Sequence, residues 1–219
     1  GATAGDALTT GGANVAVGYA ALSAEDDHGK NIAIGYQALT IQNAGADAAN
    51  VAIGYQAGLA MTTGVQNTIM GGHAGDALTT GNNNALVGKG AGSALTTGGN
   101  NVAIGVDALT TQVLHGQNVA IGHEALKTQN VNGHGNNTAV GMQAGKSITT
   151  GISNTLIGCI AGDALTTGTN NTLVGINAGG ALITGTHNTV LGSGALAAED
   201  GHGFNVAIGT SSLAAQNAG

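Results

Sequence analysis

The stretch NNVAIG at residues 100–105 decides the fold, because close variants of it recur along almost the whole chain. They read GKNIAIG at 29–35, AANVAIG at 48–54, GQNVAIG at 116–122 and GFNVAIG at 203–209. Generalised to Asn, two residues, an aliphatic residue and Gly, the motif begins at Asn14, Asn31, Asn50, Asn67, Asn84, Asn101, Asn118, Asn137, Asn154, Asn171, Asn188 and Asn205. It closes at Gly18, Gly35, Gly54, Gly71, Gly88, Gly105, Gly122, Gly141, Gly158, Gly175, Gly192 and Gly209. The step from one Asn to the next is seventeen in nine intervals and nineteen in two. Self-similarity at a fixed short period is the signature of a stacked repeat architecture.

A longer period is superimposed on the short one. Residues 31–117 align without gaps on 118–204, so five short repeats make one long repeat. Residues 1–30 match the end of that unit and 205–219 its beginning, and the chain reads as a single repetitive segment, 1–219, cut from a longer array.

Composition narrows what the repeat can build. The 219 residues include 41 Gly but no Pro or Trp, one Phe and three Tyr, too few large side chains for a layered α/β enzyme core. Hydrophobic content is nevertheless 42% and charged content 7%, far from the signature of disorder. The formal charge is −7 with four scattered Lys, so the basic stripe and stacking aromatics of a nucleic-acid binder are absent. No apolar run approaches the roughly 18 residues of a membrane span. We therefore expect no nucleic-acid partner, no membrane insertion and an extracellular location, on a virion or a bacterial cell surface. Cys159 stands alone, so no intrachain disulfide can form.

Numbered from the Asn, position 3 is always apolar, position 4 is Val, Ile, Leu or Met, and position 5 is always Gly. Such residues suit a pleated strand bounded by glycine. A helix is excluded, since Gly every few residues costs about 1 kcal/mol each and no helical period appears. Strands this short bury nothing alone, but stacking identical units does. The expectation is an all-β, parallel β-solenoid with one repeat per coil. The invariant Asn is expected to turn a corner and bond the Asn of the adjoining coil, and the Gly to allow close backbone approach.

Side chains alternate along a strand, which puts positions 2 and 4 on one face and position 3 on the other. One face must be the interior, yet neither face is polar. Bulk is traded between positions 2 and 3: beside Ile69, Leu86, Leu156, Leu173 or Val190, position 2 is Thr or Ala. Two buried faces are expected, the second covered by the same strand of a neighbouring chain; the alternative is a monomeric solenoid with Ala-rich outer walls.

The rest of the unit takes two forms. One has Gly at position 9, as in AGDALTTG at 74–81 and 161–168; the other has Leu, as in ALSAEDDHG at 21–29 and ALTTQVLHG at 108–116. The Leu form carries most of the unusual chemistry.

The segments NVAIGYQA, NTAVGMQAGKSITTG and NTLIG resemble the repeats of phage tail-fibre and surface-fibre proteins and the head repeats of YadA-like trimeric autotransporter adhesins. The resemblance spans essentially all 219 residues. It implies a left-handed parallel β-roll assembled as a homotrimer, with Asn101 and Gly105 as turn and close-packing positions and Val102–Ile104 as the shared strand. Adhesin head repeats are usually shorter, and neither the long-repeat order nor the Leu-form loops belongs to their pattern.

Candidates for chemistry are few. Glu25, Asp26, Asp27 and His28 cluster in one loop; Glu199, Asp200 and His202 recur in the counterpart two long repeats on, while the copy between them keeps only His115. Such a group could hold Ca²⁺ or a transition metal. The loss of every carboxylate from the middle copy favours a solvated loop, so no metal or other cofactor is expected and these residues are read as candidate contacts. GKGAG at 88–92 lacks both the P-loop Lys-Ser/Thr and the GxGxxG spacing. No catalytic constellation is expected from positions this repetitive, hence no enzyme. The functional expectation is a structural and adhesive fibre segment, a rigid spacer joined to other segments of the same fibre and touching a host glycan or protein through its loops. The alternative is an ice- or crystal-binding solenoid using Thr79–Thr80, Thr96–Thr97, Thr149–Thr150 and Thr166–Thr167.

Overall fold

A computed structural model describes residues 1–114, 116–198 and 201–215. Each repeat contributes one short strand at positions 2–4, giving β1 (Val15–Val17) through β12 (Val206–Ile208). The twelve strands form one sheet in strict sequence order, every neighbour parallel. Register follows the repeat: in β6 (Val102–Ile104) and β7 (Val119–Ile121), Val102 pairs Val119, Ala103 pairs Ala120 and Ile104 pairs Ile121. The chain is thus an all-β parallel solenoid with one short repeat per coil.

Closing a coil within so short a repeat takes left-handed backbone at fixed positions. Position 5 has φ of +137° at Gly105, where a Cβ would lie 2.4 Å from the Gly122 carbonyl oxygen of the next coil. Coils stack here through bare backbone, so only Gly fits. Position 9 is left-handed in both forms, φ +59° at Gly92 and +52° at Leu109. Leu at that dihedral costs roughly 1–2 kcal/mol, which its burial offsets.

The corner Asn residues run through the stack as a hydrogen-bonded ladder. The Asn154 backbone N–H donates to Asn137 Oδ1 (2.8 Å), and its Nδ2 donates both to the same oxygen (3.1 Å) and to the Gly168 carbonyl (2.9 Å). Asn154 Oδ1 in turn accepts from the N–H and Nδ2 of Asn171, both at 3.0 Å. From Asn31 to Asn188 these side chains are buried. In the Gly-form coils each amide closes its own coil and ties it to both neighbours, whereas Asn31 and Asn118 turn their Nδ2 to the preceding coil, at Glu25 and Gly116.

The interior is narrow and filled by positions 3, 8 and either 9 or 12. In the Gly form position 12 is apolar and buried, as at Met61, Leu78 and Ile148; in the Leu form Leu fills the space from position 9. That choice is coupled to the next coil. Leu22, Leu39, Leu109, Leu126 and Leu196 are each followed by Ala at position 3 of the next coil: Ala33, Ala52, Ala120, Ala139 and Ala207. Gly58, Gly75, Gly145, Gly162 and Gly179 are followed by Ile69, Leu86, Leu156, Leu173 and Val190. A Cβ on Gly145 would lie 2.5 Å from Leu156 Cδ1, and one on Gly75 2.8 Å from Leu86 Cδ1. Gly5 before Ala16 and Gly92 before Ala103 depart from the rule at equivalent points of the long repeat. Bulk is therefore exchanged inside the solenoid, between consecutive coils. Position 2 lies with position 4 on the outward face, the face expected to be covered by a neighbouring chain.

Candidate functional site

Two regions of the surface carry the features that the repeat alone does not require. The first is the outward face of the sheet. Position 3 is fully buried in β2 (Ile32–Ile34) to β11 (Thr189–Leu191), while positions 2 and 4 face away from the core. Ile104 is 39% exposed, Leu191 51% and Ile208 66%. Because the strands pair in register, these positions form two parallel rows along the whole sheet. The position-4 row is aliphatic or Met throughout, and the position-2 row holds Val, Ile, Ala or Thr. Position 6 adds to the strip on six of the twelve coils: Tyr19, Tyr36 and Tyr55 stack with centroids 5.3 and 5.2 Å apart, and Val106, Met142 and Ile176 are likewise substantially exposed, with Gly72, Lys89, His123, Cys159, Ser193 and Thr210 on the other coils.

The second region is the first Leu-form loop. Burial separates its four residues: Asp27 is exposed, Asp26 and His28 are partly covered, and Glu25 is wholly buried. Glu25 thus departs from the solvated loop expected from its sequence, because position 12 of a Leu-form coil points inward. Its Oε2 accepts from Asn31 Nδ2 at 3.2 Å, whereas Oε1 has no hydrogen-bond partner. Burial pushes the Glu25 carboxyl above its usual pKa, against the opposing pull of the His28 amide and imidazole. His28 Nδ1 is screened from solvent without a hydrogen bond and lies 3.6 Å from Asp27 Oδ1. Asp26 Oδ1 accepts the Asp27 amide at 2.8 Å. Hydrogen bonding between the two carboxyl groups holds Asp26 below the ordinary range and Asp27 above it. Ligand atoms of Glu25, Asp26 and His28 lie within 4.8 Å of one another.

His115, Glu199 and Asp200 lie outside the described residues, so their counterpart loops are defined by sequence. His202 is exposed, and its carbonyl accepts Asn188 Nδ2 at 3.2 Å. The structure also picks out residues that carried no weight in the sequence: Gln42, Gln112 and Gln129, all buried at the position of Glu25. Their signal was a Gln or Glu at position 12 wherever position 9 is Leu.

On the remaining surface, Glu124 accepts from Lys127 of its own coil and from Lys146 Nζ and Gln143 Nε2 of the next, the latter two at 2.8 Å. These donors, Lys127 foremost, hold its pKa down to about 2. The Thr-pair ranks spend part of their chemistry internally, since the hydroxyls of Thr79, Thr96, Thr149 and Thr166 donate to carbonyls one coil on. Among the described residues no pocket forms and no helix is long and apolar enough to cross a membrane.

No family model, curated protein or solved structure matches this chain.

Proposed function

We propose that the chain is a shaft segment of an extracellular surface or tail fibre, a rigid spacer assembled as a parallel homotrimer through the outward face of its sheet. The observation that carries this reading is the unbroken apolar row at position 4, flanked by Val, Ile, Ala or Thr at position 2, over twelve consecutive coils. A solvated sheet face carries polar and charged residues; this one carries no charge and no amide, and contiguous apolar patches of such extent mark association sites. The rows repeat at the strand spacing of about 4.8 Å, so the surface that matches them rib for rib is another copy of the same solenoid. The resemblance to fibre repeats supports the same arrangement. Twelve coils at that rise give a rod about 55 Å long. Contacts with a host glycan or protein are assigned to the Leu-form loops, which leave the uniform profile twice per long repeat. The ice-binding alternative gains nothing from the Thr pairs, whose first hydroxyls are engaged in the backbone stack.

Light scattering on the purified chain tests the assembly. A trimer has three times the 20.8 kDa mass of the chain, and Ile104→Glu with Ile157→Glu on the outward face is expected to lower the measured mass without loss of β-sheet circular dichroism. A clean 20.8 kDa species at tens of micromolar overturns the trimer.

A further inference from the structure

We propose that Glu25, Asp26 and His28 form a binding site for one divalent transition-metal ion of the Zn²⁺ class. The inference is independent of the fibre reading. Three donors of the right chemistry already converge, their ligand atoms lying within 4.8 Å of one another. An acidic cluster alone would mean little; a further observation points inward to a cation. Glu25 is wholly buried, yet its Oε1 has no partner. His28 Nδ1, in the same cluster, is shielded from solvent and has the Asp27 carboxylate 3.6 Å away, so it can serve as a ligand beside Glu25. Orphaned buried polar atoms are costly, and a metal ion satisfies an anionic oxygen and an imidazole nitrogen together.

The surroundings hold the donors in place. Asn31 Nδ2 donates to Glu25 Oε2 and orients the carboxylate, and the Asp27 amide does the same for Asp26 Oδ1. Such outer contacts are what fix metal-ligand geometry. Bringing ligand atoms that lie within 4.8 Å of one another to bonding distance, about 2.0–2.2 Å for Zn²⁺, takes a small rearrangement of the partly covered Asp26 and His28 around the buried Glu25. The imidazole selects against Ca²⁺ and Mg²⁺, which favour all-oxygen shells. Three protein ligands leave the fourth position of a tetrahedral ion to solvent or to a donor from a partner surface.

The chain supplies its own controls. The equivalent loop at 112–115 reads Gln-Val-Leu-His and lacks both carboxylates, whereas 199–202 reads Glu-Asp-Gly-His and repeats the donor types. Gln is the natural residue at the Glu25 position in three other coils, as Gln42, Gln112 and Gln129, and is buried there each time, so Glu25→Gln is expected to fold.

The test is competition for Zn²⁺ against a chromogenic chelator, using metal-stripped full-length chain. A Glu199→Gln, His202→Ala background removes the third loop from the count. Expected is saturable uptake of one equivalent, weakened more than about 10-fold by Glu25→Gln and by His28→Ala, since even outer-contact changes commonly reach that size. Co²⁺ in the same background should give a visible d–d spectrum that His28→Ala abolishes, a readout that a purely structural role would leave unmoved. No saturable uptake, uptake unchanged by both substitutions, or selective uptake of Ca²⁺ overturns the proposal.

Discussion

Replacing Gly105 by Ala probes the contact on which the stack depends. The new Cβ would sit 2.4 Å from the Gly122 carbonyl oxygen and 2.6 Å from its carbon, both backbone atoms that no rotamer change can move. Relief to ordinary contact requires the two coils to part by about 1 Å, which stretches the Gly122 N–H to Ile104 carbonyl bond and the Val102 N–H to Asn118 carbonyl bond, now 2.7 and 2.8 Å, past useful range. Losing both costs about 2 kcal/mol. Holding Ala at φ +137° adds roughly 1–3 kcal/mol, giving a local penalty of about 3–5 kcal/mol. Gly209 separates the two contributions: its φ is +111° but nothing lies within 4 Å of its Cβ position. Gly209→Ala should therefore lose only the backbone part. Amide hydrogen exchange read coil by coil, with urea unfolding as the global measure, would compare the variants where terminal fraying is visible. Equal local losses at the two sites, or a Gly105→Ala penalty below about 1 kcal/mol, would refute the steric account of the invariant glycine.

Asn154→Ala removes the acceptor of two bonds and the donor of two others in a buried ladder, and should cost roughly 2–4 kcal/mol in urea unfolding, with lost protection at the Asn171 amide. For Glu124, a folded pKa of about 2 against an ordinary 4.5 means that its contribution is complete above pH 4.5 and fades as pH falls toward 2. Thermal unfolding from pH 7 down to pH 2 should accordingly show a smaller acid-side decline in Glu124→Gln than in the parent, and identical pH profiles would remove the Lys127–Glu124–Lys146 cluster from consideration.

The fold was legible because the Asn-to-Gly motif states both the strand and its boundary twelve times, and no competing helical period exists. The two-sided apolar character of Val102–Ile104 was legible as well. Which side faces inward was not, because Ala103 and Ile104 are both apolar and alternation alone does not say which of them is inside. The exchange between Leu126 and Ala139 was hidden because its partners belong to consecutive coils, at different repeat positions, and column-by-column comparison within one repeat cannot see them. Glu25 misled for another reason. An acidic residue flanked by Asp26 and Asp27 reads as solvated, but its place one turn beyond Leu22 is the place of Gln42, Gln112 and Gln129, and position outweighed charge.

That inter-coil exchange also gives the order within the long repeat a physical role. Coils with nearly identical strands can pair in the wrong order at little cost to the sheet, since any strand offers another the same backbone bonds. The interior does not allow this freedom. If coil 50–66 were skipped, Leu39 would face Ile69 where it now faces Ala52, and two large side chains would compete for a space built for one. If coil 67–83 were skipped, Gly58 would face Leu86 in place of Ile69, a pairing of the kind already used at Gly75. Deleting residues 50–66 and deleting residues 67–83 thus remove the same length of chain and one coil each, yet only the first creates an overpacked junction. Overpacking costs about 1–3 kcal/mol, which for a chain of this size lowers the melting temperature by several degrees, at about 2–4 °C per kcal/mol. The 67–83 deletion should melt higher than the 50–66 deletion, and Ile69→Ala introduced into the latter, which restores a Leu–Ala junction, should recover most of the difference. Equal melting temperatures for the two deletions would show that the order of Gly-form and Leu-form coils does not set the register of the stack.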